Sequence, residues 1–164
     1  MSAPEFVLPD LCDLHGERLR VAAPLFHQFG GRAVFCGPIR TIRCFEDNSL
    51  VADRVREPGA GAVLVVDGAG SLRCALVGDN LARLAAENGW AGIVVNGCVR
   101  DVDELAAMPV GIKALAAHPL RSVKKGQGER DVTVAFAGVA FVPGQFLYAD
   151  NNGIAVAERQ LGSE

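Results

Sequence analysis

Two short segments of the sequence carry residue types that together can hold a small anion and a metal ion. Arg100 and Asp101 follow the apolar run Gly92-Ile93-Val94-Val95, and Gly78 lies 22 positions before Arg100. Arginine is a rigid bidentate partner for a carboxylate, aspartate is a hard oxygen ligand for Mg²⁺ or Mn²⁺, and a helix N-terminus presents free N–H groups. This combination predicts an α-keto acid held on a metal ion.

The segment after Gly78 is predicted to be the first turn of a helix. Glycine lets a ligand come close to the backbone, and the N–H groups of Asp79, Asn80 and Leu81 have no acceptor within the helix, so a carboxylate suits them. Each half of the site also has an ordinary explanation, namely Asp79 or Asn80 as the helix N-cap and Arg100-Asp101 as ion-pairing residues. The combination of the two halves favours a functional site.

The two segments are predicted to meet because each follows a strand of one parallel sheet. The first strand is predicted at Val63-Leu64-Val65-Val66-Asp67, which is too apolar for a strand with one face exposed to solvent. A helix is predicted at residues 81–88, and a second buried strand is predicted at Ile93-Val94-Val95. Strand, crossover helix and strand form a right-handed βαβ unit. Ligands of open α/β sheets collect beyond the carboxyl ends of the strands, so the clusters at 67–80 and 97–101 are expected there.

The rest of the chain predicts a mixed sheet with few helices. Residues 5–29 read as short amphipathic pieces, and Gly37-Pro38 is interpreted as a break between two paired strands at 33–36 and 39–45. Asp47-Asn48-Ser49 is typical of an N-cap cluster before a helix. Further strands are expected at 112–117, 132–136, 139–142 and 154–157, a short helix at 103–105 and a flexible loop at 124–128.

Composition limits the class of protein. A chain of 164 residues that is 50% hydrophobic can bury one substantial core and is too short for two full domains, so a single domain over residues 1–164 is expected. The net charge is −3 and the basic residues are scattered, which disfavours direct nucleic-acid binding. No apolar run approaches the roughly 20 residues that cross a bilayer, and the N-terminus lacks signal-peptide features. Five cysteines without a C-x-x-C pair favour a reducing compartment, so a soluble cytoplasmic protein is expected.

Absent motifs narrow the chemistry further. Asp67-Gly68-Ala69-Gly70 resembles the start of a dinucleotide fingerprint, but Arg73 stands where the third glycine is needed. The three histidines are isolated, so the sequence gives no support to a zinc site. Of the three lysines, Lys113 is the one plausible Schiff-base residue, and nothing singles it out. The composition therefore favours metal-assisted carbanion chemistry.

Four motifs along the chain point to a known family. They are Phe29-Gly30-Gly31-Arg32, Cys44-Phe45-Glu46-Asp47-Asn48, Val65-Val66-Asp67-Gly68-Ala69-Gly70-Ser71 and Tyr148-Ala149-Asp150-Asn151-Asn152-Gly153. In these motifs the chain resembles the RraA-like family, which includes inhibitors of ribonuclease E and class II 4-hydroxy-4-methyl-2-oxoglutarate aldolases that also decarboxylate oxaloacetate. The resemblance implies an α/β fold, a three-layer ββα sandwich of the swivelling-domain type with a mixed sheet. It also implies a homotrimer with active sites between subunits.

The aldolase pattern of this family assigns roles to the residues of the two segments. Gly78, Arg100, Asp101 and Glu104 match the pattern. The resemblance implies that Asp101 ligates Mg²⁺ or Mn²⁺, that Asp79 positions a water for proton transfer, and that Asp79 and Arg100 are the catalytic residues. The substrate-binding residues implied for the pyruvyl carboxylate are Gly78, Asp79, Asn80, Leu81 and Arg100.

An acidic group from a neighbouring subunit completes the metal shell in this family. Asp150 and Glu158 are the candidates for it in this sequence. Asp150 also fits a plain turn, and Glu104 also fits an ordinary acid in the first turn of a helix.

Two functions of different classes follow. The favoured hypothesis is a divalent-metal-dependent lyase that cleaves 4-hydroxy-4-methyl-2-oxoglutarate to pyruvate and decarboxylates oxaloacetate, with a pyruvate enolate common to both reactions. The rival is a non-catalytic regulator that binds and inhibits ribonuclease E. A third interpretation, a methyltransferase of menaquinone synthesis, is disfavoured because the cofactor fingerprint is absent.

Overall fold

The computed structural model describes residues 4–162, which form a mixed sheet flanked by short helices. The helices in this range are α1 (Leu8–His15), α2 (Ser49–Val55), α3 (Asp79–Glu87) and α4 (Val102–Leu105), with one 3₁₀ turn at Gly16–Arg18. The strands are β1 (Arg20–Val21), β2 (His27–Gln28), β3 (Phe35–Arg43), β4 (Val63–Asp67), β5 (Ala75–Val77), β6 (Gly92–Val99), β7 (Gly111–Ala117), β8 (Glu129–Arg130), β9 (Val134–Phe136), β10 (Val139–Phe141), β11 (Phe146–Asp150) and β12 (Gly153–Ala157). Within the described range, none of the helices has the length and apolar character required to traverse a lipid bilayer.

The predicted strand, helix and strand between residues 63 and 99 are present. β4 pairs in parallel with β6, from Val63 opposite Gly92 to Asp67 opposite Asn96, and α3 lies in the connection between them. The apolar run of β4 is fully buried because hydrophobic side chains cover both of its faces. The connection also contains β5, which was not predicted and which pairs in parallel with the end of β6.

Two hydrophobic cores on opposite faces of the parallel strands create three layers. Side chains alternate along β4, so Leu64 belongs to the core shared with α2 and α3, whereas Val65 belongs to the other core. That second core contains Leu147 of β11 and Ile154 of β12. The layers are therefore helices, parallel strands and a second β layer, and the predicted ββα sandwich with a mixed sheet is confirmed.

The predicted break at Gly37-Pro38 is wrong, because β3 runs through both residues. Residues 35–38 pair antiparallel with β11, and residues 39–43 pair parallel with β4. Proline cannot donate a ladder hydrogen bond, and Pro38 lies where the strand changes partner. Gly37 is needed there because a Cβ atom would lie 2.1 Å from the carbonyl oxygen of Gly61. One strand thus joins the two β layers.

The C-terminal third is mostly β-structure, as predicted, with two additions. The expected strands appear as β7, β9, β10 and β12 with shifted ends, while β8 and β11 were not predicted. β11 and β12 form a hairpin in which Asp150 is opposite Gly153, so the interpretation of this motif as a turn is confirmed. The helices expected after Asn48 and at 103–105 are present as α2 and α4.

Candidate active site

Gly78 and Arg100 are neighbours because β5 and β6 are parallel and end together. Val77, the last residue of β5, is opposite Val99, the last residue of β6. The N–H group of Arg100 donates to the carbonyl oxygen of Val77 over 2.9 Å. From this point the chain enters α3 on one side and α4 on the other. The structure therefore brings the two predicted segments together at the carboxyl ends of adjacent strands.

The carboxylate of Asp101 binds the start of α3. Its Oδ2 atom accepts a hydrogen bond from the N–H group of Asp79 over 3.0 Å, so a side chain from the other segment satisfies one free N–H group of the helix. The N-cap residue of α3 is Gly78, so the alternative in which Asp79 or Asn80 caps this helix is wrong. Asp101 has a left-handed backbone (φ 57°), which aspartate adopts more readily than most residues.

Gly78 leaves the space that this carboxylate occupies. A Cβ atom on Gly78 would lie 2.6 Å from Oδ2 of Asp101 and 3.3 Å from Cγ of Arg100. The backbone at Gly78 is extended (φ −128°), a conformation open to any residue. The close approach of Asp101, and not the backbone conformation, therefore requires glycine at this position.

The two segments line a cavity of about 310 Å³ in which positive charge predominates. The charged lining residues are Arg56, Arg100, Arg121, Lys124, Asp79 and Asp101. With four cations and two carboxylates around it, the cavity favours an anionic ligand. Within residues 4–162, neither Arg100 nor Asp101 forms an ion pair. The alternative in which these two residues serve as ion-pairing residues therefore has no support in this part of the chain.

Two of the three predicted N–H donors of α3 are free for a ligand. The N–H group of Asp79 is taken by Asp101, and the first bond within the helix runs from the N–H group of Ala82 to the carbonyl oxygen of Gly78. Among residues 4–162, no protein atom accepts from the N–H groups of Asn80 and Leu81. The guanidinium of Arg100, half-buried in the same cavity, adds charged donors.

Asp101 suits a cation that is held mainly by water and by the ligand itself. Its Oδ2 atom is bound to Asp79, and its Oδ1 atom accepts no hydrogen bond from residues 4–162. In that range, no three histidine, cysteine, aspartate or glutamate side chains converge in a way that could hold a metal ion. Mg²⁺ is commonly held by one or two carboxylates together with waters and substrate oxygens, so the free oxygen of Asp101 fits this donor type.

The other acidic candidates do not line this cavity. Asp150 is buried, and its carboxylate accepts hydrogen bonds from the N–H groups of Leu8 (2.9 Å) and Asn152 (2.7 Å). It therefore fixes the β11–β12 turn and the start of α1. Glu104 is exposed in the first turn of α4, and Glu158 is exposed beside a different cavity.

Sequence reasoning missed the segment at residues 120–127, which carries Arg121 and Lys124 to the cavity. The buried carboxylate of Asp47 anchors this segment by accepting the N–H groups of Lys125 (2.9 Å) and Gln127 (3.0 Å). Burial alone would raise the pKa of Asp47, but hydrogen bonds from this segment and from Ser49 outweigh burial and lower the pKa to about 2. The sequence signals at Asp47 were the predicted N-cap cluster and the family motif at residues 44–48, and neither revealed these distant partners.

The fold and the site define a ββα sandwich with a cationic cavity at the ends of its parallel strands. The profile of the RraA-like family, described as Aldolase/RraA, matches residues 8–156. The chain belongs to the RraA-like family, as its motifs predicted.

Individual relatives of this chain carry different functional names. A protein of Alkalilimnicola ehrlichii, provisionally named 4-hydroxy-4-methyl-2-oxoglutarate aldolase, is 60% identical over 152 residues, which are 93% of this chain and 94% of that protein. The structure of the RNA-processing inhibitor RraA from Thermus thermophilis matches with a TM-score of 0.92 and 50% identity, over 97% of this chain and 96% of that one. A structure from Geobacillus kaustophilus named S-adenosylmethionine:2-dimethylmenaquinone methyltransferase matches with a TM-score of 0.91 and 46% identity, over 95% of this chain and 97% of that one. The fold is therefore common to proteins with different names, and function has to be argued from the site.

Proposed function

We propose that this chain is a divalent-metal-dependent aldolase that cleaves 4-hydroxy-4-methyl-2-oxoglutarate and also decarboxylates oxaloacetate. The observation that carries the proposal is the convergence of Arg100, Asp101 and the free N–H groups of α3 on one cationic cavity. The aldolase name of the 60% identical relative supports the same reaction. The homotrimer and the ligand from a second subunit remain predictions.

Substrate binding is proposed to begin with the pyruvyl carboxylate. Arg100 can donate two N–H groups to the carboxylate, while the N–H groups of Asn80 and Leu81 approach it from the start of α3. The helix dipole adds attraction for negative charge at the same point. These contacts orient the α-keto acid inside the cavity, with its reacting carbons towards Asp79 and Asp101.

The cleavage breaks the C3–C4 bond of the substrate and yields two molecules of pyruvate. The C4 hydroxyl group loses its proton and becomes the keto group of one product, while the bonding electrons remain on the pyruvyl half as an enolate. A proton added at C3 then gives the methyl group of the second product. Asp79, which lines the cavity, is proposed to position the water that carries these protons.

Oxaloacetate breaks at the same bond. Its C4 carboxylate leaves as CO₂, and C3 again takes up a proton. Asp101 would hold Mg²⁺ or Mn²⁺ in the proposed enzyme, and the cation would supply electrostatic stabilisation of the negative charge that develops on the C2 oxygen.

The proposal is tested by pyruvate release from 4-hydroxy-4-methyl-2-oxoglutarate and from oxaloacetate. Removal of the metal with EDTA, and separately Asp101→Ala, is expected to lower the rate by at least about tenfold to a hundredfold. Asp103→Ala is the matched control, because Asp103 is an exposed acid two positions away that does not line the cavity. Equal rates with Mg²⁺, with EDTA and in Asp101→Ala would contradict the proposed chemistry.

A second candidate function is inhibition of ribonuclease E. The specific support is the match to the Thermus RNA-processing inhibitor at 50% identity over almost the whole chain. Such a regulator would act through its surface, so inhibition should survive both Asp101→Ala and EDTA. Co-purification with ribonuclease E and an RNA-cleavage assay with the variant test this function, and both functions can belong to one protein.

The methyltransferase name of the Geobacillus relative is not extended to this chain. Arg73 occupies the position of the third glycine in the one glycine-rich segment that begins like a nucleotide-cofactor fingerprint. The cavity instead presents cations and free N–H groups, which suit a small acid.

A further inference from the structure

We infer that Arg121 and Lys124 form a second anion-binding subsite, which binds a carboxylate at the far end of the substrate from its α-keto acid. The inference rests on the proposed function, whose two substrates are both 2-oxo dicarboxylates, and it assigns residues to their second carboxylate. The pyruvyl carboxylate needs Arg100 and the start of α3, which leaves Arg121 and Lys124 without a role although they line the same cavity.

Arg121 has its guanidinium available for a ligand. It is exposed, and within residues 4–162 it forms no ion pair. Arg56, another cation of the cavity, instead donates to the carbonyl oxygen of Ala52 over 3.0 Å. A guanidinium without a protein partner keeps its paired N–H donors for an incoming carboxylate.

Backbone contacts place Arg121 alongside β5 at a distance from Gly78. Arg121 forms an isolated parallel bridge with Ala75, whose N–H group donates to the carbonyl oxygen of Leu120 over 2.7 Å. Ala75 precedes Gly78 by three strand residues, which is roughly 10 Å of extended chain. A five-carbon 2-oxo diacid is about 5 Å long between its terminal carbons, which covers about half of that 10 Å. The arginine side chain is long enough to span the rest of the distance. The two carboxylates would therefore bind towards opposite ends of one cavity.

Lys124 is held near the same strand by a chain of hydrogen bonds. Its Nζ atom donates to Oδ1 of Asn48 over 2.6 Å, and Nδ2 of Asn48 donates to the carbonyl oxygen of Leu76 over 2.8 Å. Asp47 anchors the adjacent backbone. The ammonium group of Lys124 and the backbone at Arg121 are therefore positioned before a ligand binds, which reduces the entropy lost on binding.

The test compares two substrates that differ in the distal carboxylate. 4-Hydroxy-4-methyl-2-oxoglutarate carries this group, whereas 4-hydroxy-2-oxopentanoate lacks it and is cleaved at the same bond to pyruvate and acetaldehyde. Arg121→Gln is expected to lower kcat/KM for the dicarboxylate by about tenfold to a hundredfold. For the monocarboxylate the change should stay below about threefold. Lys124→Met should show the same selectivity.

The matched control is Arg159→Gln, since Arg159 is an exposed arginine that lines a separate cavity. This variant should leave both substrates unchanged. An equal loss on both substrates in Arg121→Gln, or no loss on either, would overturn the inference.

Binding separates the subsite from the proposed reaction. If the wild-type chain released pyruvate from neither substrate, the proposed function would fail and binding alone would decide the subsite. Calorimetric titration with 2-oxoglutarate and with 2-oxopentanoate, in the presence of Mg²⁺, compares ligands of equal chain length. A preference for 2-oxoglutarate that Arg121→Gln abolishes supports the subsite, whereas equal wild-type affinities overturn it.

Discussion

Gly78→Ala tests the central contact of the candidate site. The new methyl group would lie 2.6 Å from Oδ2 of Asp101 and 3.3 Å from Cγ of Arg100. Carbon and oxygen atoms do not pack at 2.6 Å, so either the carboxylate or the start of α3 has to move. The extended backbone at Gly78 accepts alanine, so the perturbation acts through this contact and not through φ strain.

The expected magnitude follows from what the displaced carboxylate loses. Its hydrogen bond to the N–H group of Asp79 involves a charged acceptor, and such bonds contribute about 1.5 to 3 kcal/mol. We therefore expect the free energy of unfolding to fall by up to about 3 kcal/mol. Misplacing a metal ligand or its supporting contact commonly costs about tenfold to a hundredfold in activity, so kcat/KM for pyruvate release should fall by that factor.

A coupled assay for pyruvate and urea unfolding measure the two effects. Gly97→Ala is the control, because its methyl group would meet the ends of the Leu76 and Val95 side chains at 3.3 and 3.5 Å and the carbonyl oxygen of Ser71 at an ordinary contact distance of 3.8 Å. If Gly78→Ala acts through Asp101, it should add no further loss of kcat/KM in an Asp101→Ala background. Wild-type kcat/KM in Gly78→Ala, or full additivity in the double variant, would refute the reasoning.

Two further predictions concern stability. The pKa of Asp47 is lowered from its usual 3.8 to about 2, so ionised Asp47 stabilises the native state above pH 3.8, and this stabilisation is lost as the pH falls through about 2. Urea unfolding of the wild type and of Asp47→Asn should therefore differ at neutral pH and converge towards pH 2, and a pH-independent difference would count against the Asp47 anchor. Gly111→Ala would place a methyl group 2.1 Å from the Phe35 ring, so we expect a loss of about 1 to 3 kcal/mol in urea unfolding. Phe35→Leu should recover part of that loss, and unchanged stability in Gly111→Ala would contradict the packing described for Phe35.

The parallel strands were predictable because their signal is local. β4 and the central part of β6 are unbroken apolar runs, which is the pattern of strands buried on both faces. α3 ends near Gly89, whose φ of 81° suits a residue that follows a helix. Patterns of this kind depend only on neighbouring residues, so the sequence is sufficient to place them.

The errors arose where a strand depends on distant partners. β3 continues through Gly37-Pro38 because β11 and β4 pair with its two halves, and no local feature of this dipeptide reveals either partner. β5 has only three residues, and its pairing with β6 defines it as a strand. Pairing partners of this kind are specified by the folded chain as a whole.

The sequence by itself predicted that Gly78, Arg100 and Asp101 lie at the same end of a parallel sheet, because an apolar strand precedes each of the clusters at 67–80 and 97–101 and parallel strands share a carboxyl edge. The strand that ends directly before Gly78 is β5, which the sequence did not reveal. Only the tertiary structure decided that Asp101 takes the N–H group of Asp79 and leaves those of Asn80 and Leu81 free. It also decided that the segment at 120–127 brings its cations to the cavity. That placement rests on hydrogen bonds that the Asp47 carboxylate accepts from residues 78 and 80 positions away, and contacts of such separation leave no periodic trace in a sequence.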